Sequence, residues 1–317
     1  MNSALDRPTV TGALTQWTWQ PLALLLVVAL AASYAYGVHR LDRAWPRGRT
    51  AVFTLGLLFL LWTSGGFLGV YSSSLYWVWT SQTLILWLIV PIVLLFGHPL
   101  QLARAVGGAD SRLEHVMRSK PVRVVSNPLV GPALVPLLSA GLFFGPLPGW
   151  AIAMPGVGWV LQLLLVAVGA AMVLPLVGVD DDVSSLAVGL GLAIGSLELV
   201  IDALPGIVLR LHNGLMTSWF DHRDRHSWTP TGLHDQRLAG AILWCIAELI
   251  DLPFLFLVFR RWVRVDAKDA ARVDAVLEAE RHARAAMHTP EGAPEDGRDA
   301  PWWLSDPAMQ QRLRRRD

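Results

Sequence analysis

The sequence predicts an all-α polytopic membrane protein with seven transmembrane helices and a cytoplasmic C-terminal tail. Three observations predict it. Of 317 residues, 53% are hydrophobic and only 16% charged, against about 25% charge in a typical soluble domain. The apolar residues gather in runs near the length of about 20 that an α-helix needs to cross a bilayer core. Lys and Arg fall mainly in the connections between those runs.

The expected spans are about 20–38, 50–70, 75–97, 128–147, 156–178, 184–208 and 238–259. The first run follows nineteen residues that lack a basic start, a short apolar stretch and a cleavage site, so it is expected to be retained as a span. The fourth, through "LVGPALVP", is expected to be kinked by Pro132 and Pro136, which neighbouring helices tolerate by satisfying the freed carbonyls. "GPLPGW" and "MPGVGW" separate it from the fifth. The amphipathic "PLQLARAV" lies after the third, either along a leaflet or as a packed connector. Residues 1–19 form an extracytoplasmic segment, 20–265 the membrane domain and 266–317 the tail. From Asp266 to His288 the tail alternates acids, Arg and Ala and reads as a soluble helix. "HTPEGAPEDGRDAP" then reads as disordered.

Orientation follows from the basic residues. Arg40, Arg43, Arg47 and Arg49 in the first connection, Arg104 to Arg123 in the third and "RRWVR" before the tail share one side of a seven-span arrangement. The positive-inside rule makes that side cytoplasmic and the N-terminus external. Trp17, Trp19, Trp77, Trp79, Trp150 and Trp159 read as an interfacial belt.

Two groups carry chemical potential. The first is intramembrane and polar: Glu198 and Asp202 in the sixth span, Glu248 and Asp251 in the seventh, and Gln82 in the third. Each carboxylate pair shares a helical face. An ionised carboxylate at the centre of a span costs roughly 3 kcal/mol on insertion scales. These acids should therefore face the bundle and take a proton, a cation or a hydrogen-bond partner, or simply be bonded within the core. The second group is the connection "HNGLMTSWFDHRDRH" with the residues after it. His212, Asp221, His222, His226 and His234 are its candidate metal ligands, with Met216, Asp224 and Asp235 nearby. Imidazole and thioether suit copper, but the spacing matches no standard site, the neighbouring arginines oppose a cation, and a solvated or docking loop is the plainer reading. His39 and His98 read as caps at span ends. The single cysteine, Cys245, excludes an internal disulfide. No phosphate loop, HExxH, CxxC or nucleophile elbow occurs, so no enzyme is expected, and nothing points to nucleic acid.

"NPLVGPALVP", "LPLVGVD", "DQRLAGAILW…RRWVR" and the block "LYWVWTSQTLILWLIVPIVLLFGHP" together resemble the seven-span CtaG-like family of cytochrome c oxidase assembly proteins, over roughly residues 20–265. The resemblance implies a non-enzymatic assembly or accessory factor for a haem–copper oxidase. Its partners would be oxidase subunits or other assembly proteins, and its setting membrane lipid. It also implies copper handling through membrane histidines, and here this chain departs from the pattern. The family's third-span block has the form His-Met-x-Gln-His. Trp79 stands at the first histidine, Thr80 at the methionine and Thr83 at the second histidine, while Gln82 is retained. Gln162 and Leu163 lie where further histidines are usual, and Asp202 takes the place of one in the sixth span. A family fold with a lost or rebuilt metal site is the resulting expectation. The alternatives are a proton- or cation-coupled transporter using the intramembrane carboxylates, and a structural subunit of a respiratory membrane complex. Oligomeric state is not legible.

Overall fold

The computed structural model describes residues 7–41, 44–107, 119–120, 136–177, 185–217, 219–220 and 228–287. In chain order the helices are α1 (Val10–Thr15), α2 (Pro21–Arg40), α3 (Arg47–Gly65), α4 (Phe67–Tyr71), α5 (Tyr76–Leu84), a π-helical turn over Ile85–Ile89, α6 (Val90–Phe96) and α7 (Pro99–Gly107). Then come α8 (Pro136–Phe144), α9 (Leu147–Ala153), α10 (Pro155–Val177), α11 (Ser185–Leu211) and α12 (Gly232–Met287). Among the described residues there is no strand.

Four of these stretches are long and apolar enough to cross a membrane: Pro21–Arg40, Arg47–Tyr71, Tyr76–Phe96 and Pro155–Val173. The α8–α9 pair, bent by 54°, adds a fifth if it is one span. Among the described residues, the expected seven transmembrane helices are thus corrected to four or five. The physical reason is a bend: the described part of the expected fourth span is a pair of helices meeting at 54°, and residues 128–135 lie outside the described residues. The sixth and seventh expected spans fall within α11 and α12, which are helical.

The chain divides into two compact units, Met1–Val263 and Arg264–Asp317. In the second, the described residues are the end of α12, mostly exposed, with an Asp269–Arg272 ion pair at 4.0 Å. The segment expected to be disordered, "HTPEGAPEDGRDAP", lies outside the described residues except its neighbour Met287.

In the first unit, local sequence sets where helices start and bend. Pro21 opens α2, where a missing N–H costs nothing, and His39 and Arg40 sit in its last turn, where basic groups suit the helix dipole. Gly65 and Gly66 interrupt the second span, Gly66 being extended (φ −78°, ψ −150°). Pro91 interrupts the hydrogen bonding of the third. Proline has no N–H for the carbonyl four residues back, and the π-helical turn immediately before α6 absorbs the mismatch. Gly145 (φ −88°, ψ −174°) ends the π-helical close of α8.

Packing then gathers two ends. At one, Thr18 N–H donates to Gly65 O at 2.7 Å, Tyr76 stacks on Phe220 with centroids 4.8 Å apart, and Gly149 of α9 lies against the Trp219 ring. At the other, Tyr34 Oη donates to Gly97 O (2.9 Å), Trp45 Nε1 donates to Tyr34 Oη (2.9 Å), and Arg49 Nη1 donates to Gln101 Oε1 (3.1 Å). There α7 buries Leu102 against Gly37 of α2, so "PLQLARAV" is a packed connector. His98, just before it, has φ 53°. Burial, then the nearby Arg49 charge, holds its imidazole below the usual histidine range.

The core centres on the third span. Trp87, Leu86, Val90, Leu84 and Tyr76 are all nearly inaccessible and join Phe143, Leu142, Leu165 and Leu209 in one cluster. Trp79 belongs to this core and not to an interfacial belt, whereas Trp17, Trp19 and Trp150 are about half exposed or more.

Candidate functional site around the third span

A helix broken inside a membrane leaves carbonyls without partners, and something nearby must answer them. In this protein a recurring set of buried polar side chains does so. The break at Gly65–Gly66 releases the carbonyls of Thr63 and Ser64. Gln82, 3% exposed, donates through Nε2 to Thr63 O at 3.0 Å and to Ser64 O at 3.5 Å. The end of α8 is answered by Tyr76, whose hydroxyl donates to Phe143 O at 2.6 Å. Ser81 bonds back to Trp77 O at 2.8 Å. Gln82 therefore staples the second span to the third. The polar trio Ser81, Gln82 and Thr83 is buried throughout.

The start of the third span is fixed from a distance in sequence. Asp235, in the first turn of α12 and 4% exposed, accepts from Tyr76 N–H through Oδ2 (2.8 Å) and from Trp77 N–H through Oδ1 (3.0 Å). A helix N-terminus offers unpaired N–H groups and a partial positive charge, so a carboxylate caps it well. Leu75, the residue at the cap position, has no side-chain acceptor of its own. The next residue, Gln236, is 1% exposed. Its Nε2 donates to Gly214 O (3.0 Å) and Leu209 O (3.4 Å), and its Oε1 accepts from Met216 N–H (2.8 Å). Arg237 Nη2 reaches Asn213 Oδ1 at 3.4 Å, and Arg210 Nη1 reaches Arg237 O at 3.2 Å. "DQR" thus ties the start of the third span and residues 209–216 to α12. Sequence reasoning missed this role. Asp235 was grouped with the loop histidines, although "DQRLAGAILW" was already a conspicuous block.

The carboxylates fall on two helices in antiparallel register. A methyl built on Gly189 would lie 3.0 Å from Trp262 Nε1, on Gly195 3.0 Å from Leu255 Cδ2, on Gly206 2.7 Å from Trp244 N, and on Gly240 2.6 Å from Arg210 N. Each step along α11 is matched by an equal step back along α12, which puts Asp202 level with Glu248. Asp202 is seven residues from Gly195 and four from Gly206, hence on the face that meets α12. Both residues are half-buried. Glu198 lies one turn before Asp202, and Asp251 three residues after Glu248. Gln82 belongs to the α3–α5 contact instead.

Of the candidate metal ligands, Asp221, His222 and His226 lie outside the described residues. His212 is exposed, and its Nδ1 is engaged with Gly214 O (2.8 Å) and Gly214 N (3.1 Å). His234 is exposed, its backbone N–H donating to Thr231 Oγ1 at 3.4 Å. Among the described residues, no group of three or more His, Cys, Asp or Glu is placed to hold a metal. The third-span set does not fit copper either. Trp79, Thr80 and Thr83 offer no imidazole or thioether, and the Gln82 amide is committed to two carbonyls.

This architecture defines a class: a polytopic all-α membrane protein whose buried polar groups join helix ends, without a nucleophile–base pair or metal cluster among the described residues. The chain belongs to the cytochrome c oxidase caa3 assembly factor family (Caa3_CtaG), whose model matches residues 32–265. Among curated proteins it is 25% identical, over 284 residues, to the uncharacterized proteins Mb0105 of Mycobacterium bovis and MT0111 of Mycobacterium tuberculosis. It is 23% identical over 279 residues to the uncharacterized protein ML1998 of Mycobacterium leprae. Each alignment covers 84% of this chain and 42% of the relative, so the chain spans less than half the length of these relatives. No solved structure matches the chain.

Proposed function

We propose that this chain is a non-enzymatic assembly or accessory factor for a haem–copper cytochrome c oxidase, acting by docking to partner membrane helices. The carrying observation is the family match across most of the bundle. The spent polar groups agree with it, since Gln82, Tyr76, Asp235 and Gln236 are engaged in holding helices rather than poised for chemistry. Its partners are oxidase subunits or other oxidase assembly proteins. It resides in a bacterial cell membrane, with the end that carries Arg47, Arg49 and Arg104 and the C-terminal tail in the cytoplasm, and with Trp17 on the outer side. Purification in mild detergent followed by mass spectrometry tests this. Oxidase subunits or assembly proteins are expected in sub-stoichiometric amounts. Stoichiometric retention through every step would make the chain a structural subunit, and absence of every oxidase-related protein would overturn the reading. The proposal rests on docking; the candidate copper donors His222 and His226 lie outside the described residues.

A second reading, a proton- or cation-coupled transporter, is favoured by one observation: Asp202 and Glu248 stand level across the α11–α12 contact. Carboxylate oxygens gathered at one helix contact suit a hard cation. In proteoliposomes the transporter reading requires proton or cation flux that falls at least tenfold with Asp202→Asn. Unchanged flux, or none in the wild type, removes it.

A further inference from the structure

We infer that the break in the second span is a binding site for internal water. Thr63 and Ser64 are wholly buried, and neither hydroxyl has a hydrogen-bond partner in the protein. Both flank the break, where their own carbonyls have lost helical partners and share a single amide, Gln82 Nε2. Trp79 is three residues before Gln82 on α5, on the same face, and its buried Nε1 is likewise without an acceptor. Two hydroxyls and two carbonyls with spare lone pairs therefore flank the break, and the inferred water is the acceptor that the Trp79 indole N–H lacks. From the end of the bundle, the Trp17 ring closes over Gly65, a methyl on which would fall 2.8 Å from it, while Thr18 N–H holds Gly65 O.

The donor set names the ligand class. It contains no charged side chain, so a bare ion gains nothing that offsets its dehydration. It mixes donors with acceptors, and a water molecule makes two to four hydrogen bonds to such groups. Without water the two hydroxyls would turn to the carbonyls of Phe59 and Leu60, four residues back on α3. The two arrangements behave oppositely on mutation. Removing a hydroxyl that bridges water leaves other groups unsatisfied, whereas removing one that bonds only its own helix is nearly neutral.

The test is X-ray radiolytic labelling of the full-length protein in lipid nanodiscs, with oxygen-18 water. Water bound in place generates hydroxyl radical beside the residue it touches. Trp79 should label at least fivefold faster in the wild type than in the Thr63→Val/Ser64→Ala double variant, while Phe220, equally buried and stacked on Tyr76, labels alike in both. Thr63→Ser, which keeps the hydroxyl, should retain the fast labelling. Equal Trp79 labelling in wild type and double variant overturns the inference. If the double variant does not fold, the Trp79 rate of the wild type, compared with that of the same protein unfolded in detergent and urea, decides it. A rate suppressed as fully as that of Phe220 overturns the site, and one suppressed at least fivefold less supports it.

Discussion

Replacing Asp235 by alanine is expected to destabilise the bundle by roughly 2–4 kcal/mol, the cost of removing two charge-assisted bonds and leaving buried N–H donors behind. The carboxylate is nearly inaccessible and supplies both acceptors at the start of the third span, at 2.8 and 3.0 Å. No water replaces it at that depth without reopening the contact between α12 and α5. Because the third span is the centre of the core, loosening its first turn is expected to reach Tyr76, and through it Phe143 and Phe220. Thermal unfolding in a fixed detergent should show the loss, with Asp235→Asn falling between alanine and wild type because it keeps one acceptor. A midpoint for Asp235→Ala within error of wild type would show that the cap contributes nothing.

The second large effect is at Gly169, on α10. Pro91 supplies no N–H for the carbonyl of Trp87, and Gly169 comes directly against that oxygen, with the Pro91 ring beside it. Backbone meets backbone there, as small residues permit between membrane helices. A methyl has no side chain to push aside, so α10 must move off the third span. Gly169→Ala is expected to cost roughly 1–3 kcal/mol, and Gly169→Val to abolish recovery of a monodisperse protein on size exclusion. Gly156, near the start of the same helix, is the control. Nothing lies within 4 Å of a methyl added there, so Gly156→Ala should be neutral or slightly stabilising through helix propensity. Equal losses at the two positions would refute the close approach.

Some of this was legible beforehand. The helices stand where apolar runs end in Pro, Gly or basic residues, because those residues act locally. Pro21, Gly65–Gly66 and Pro91 shape the backbone through their own dihedral limits and missing donors. Gln82 was visible as a polar interruption, and the inward need of the carboxylates followed from the cost of charge in hydrocarbon. The number of spans was not legible. Hydropathy averages over a run, and it does not register a 54° bend between α8 and α9. Asp235 escaped for a different reason. Its acidic and histidine-rich surroundings look like a solvated loop, and its partners lie about 160 residues earlier in the chain.

By itself, the sequence determined an all-α membrane protein and its family, since hydropathy and motif residues belong to each stretch and its near neighbours. Only the tertiary structure decided what answers the helix breaks: Gln82 for the second span, Tyr76 for the eighth helix, Asp235 for the start of the fifth. A freed carbonyl or N–H specifies that a partner is needed, but which side chain arrives depends on how distant helices come together.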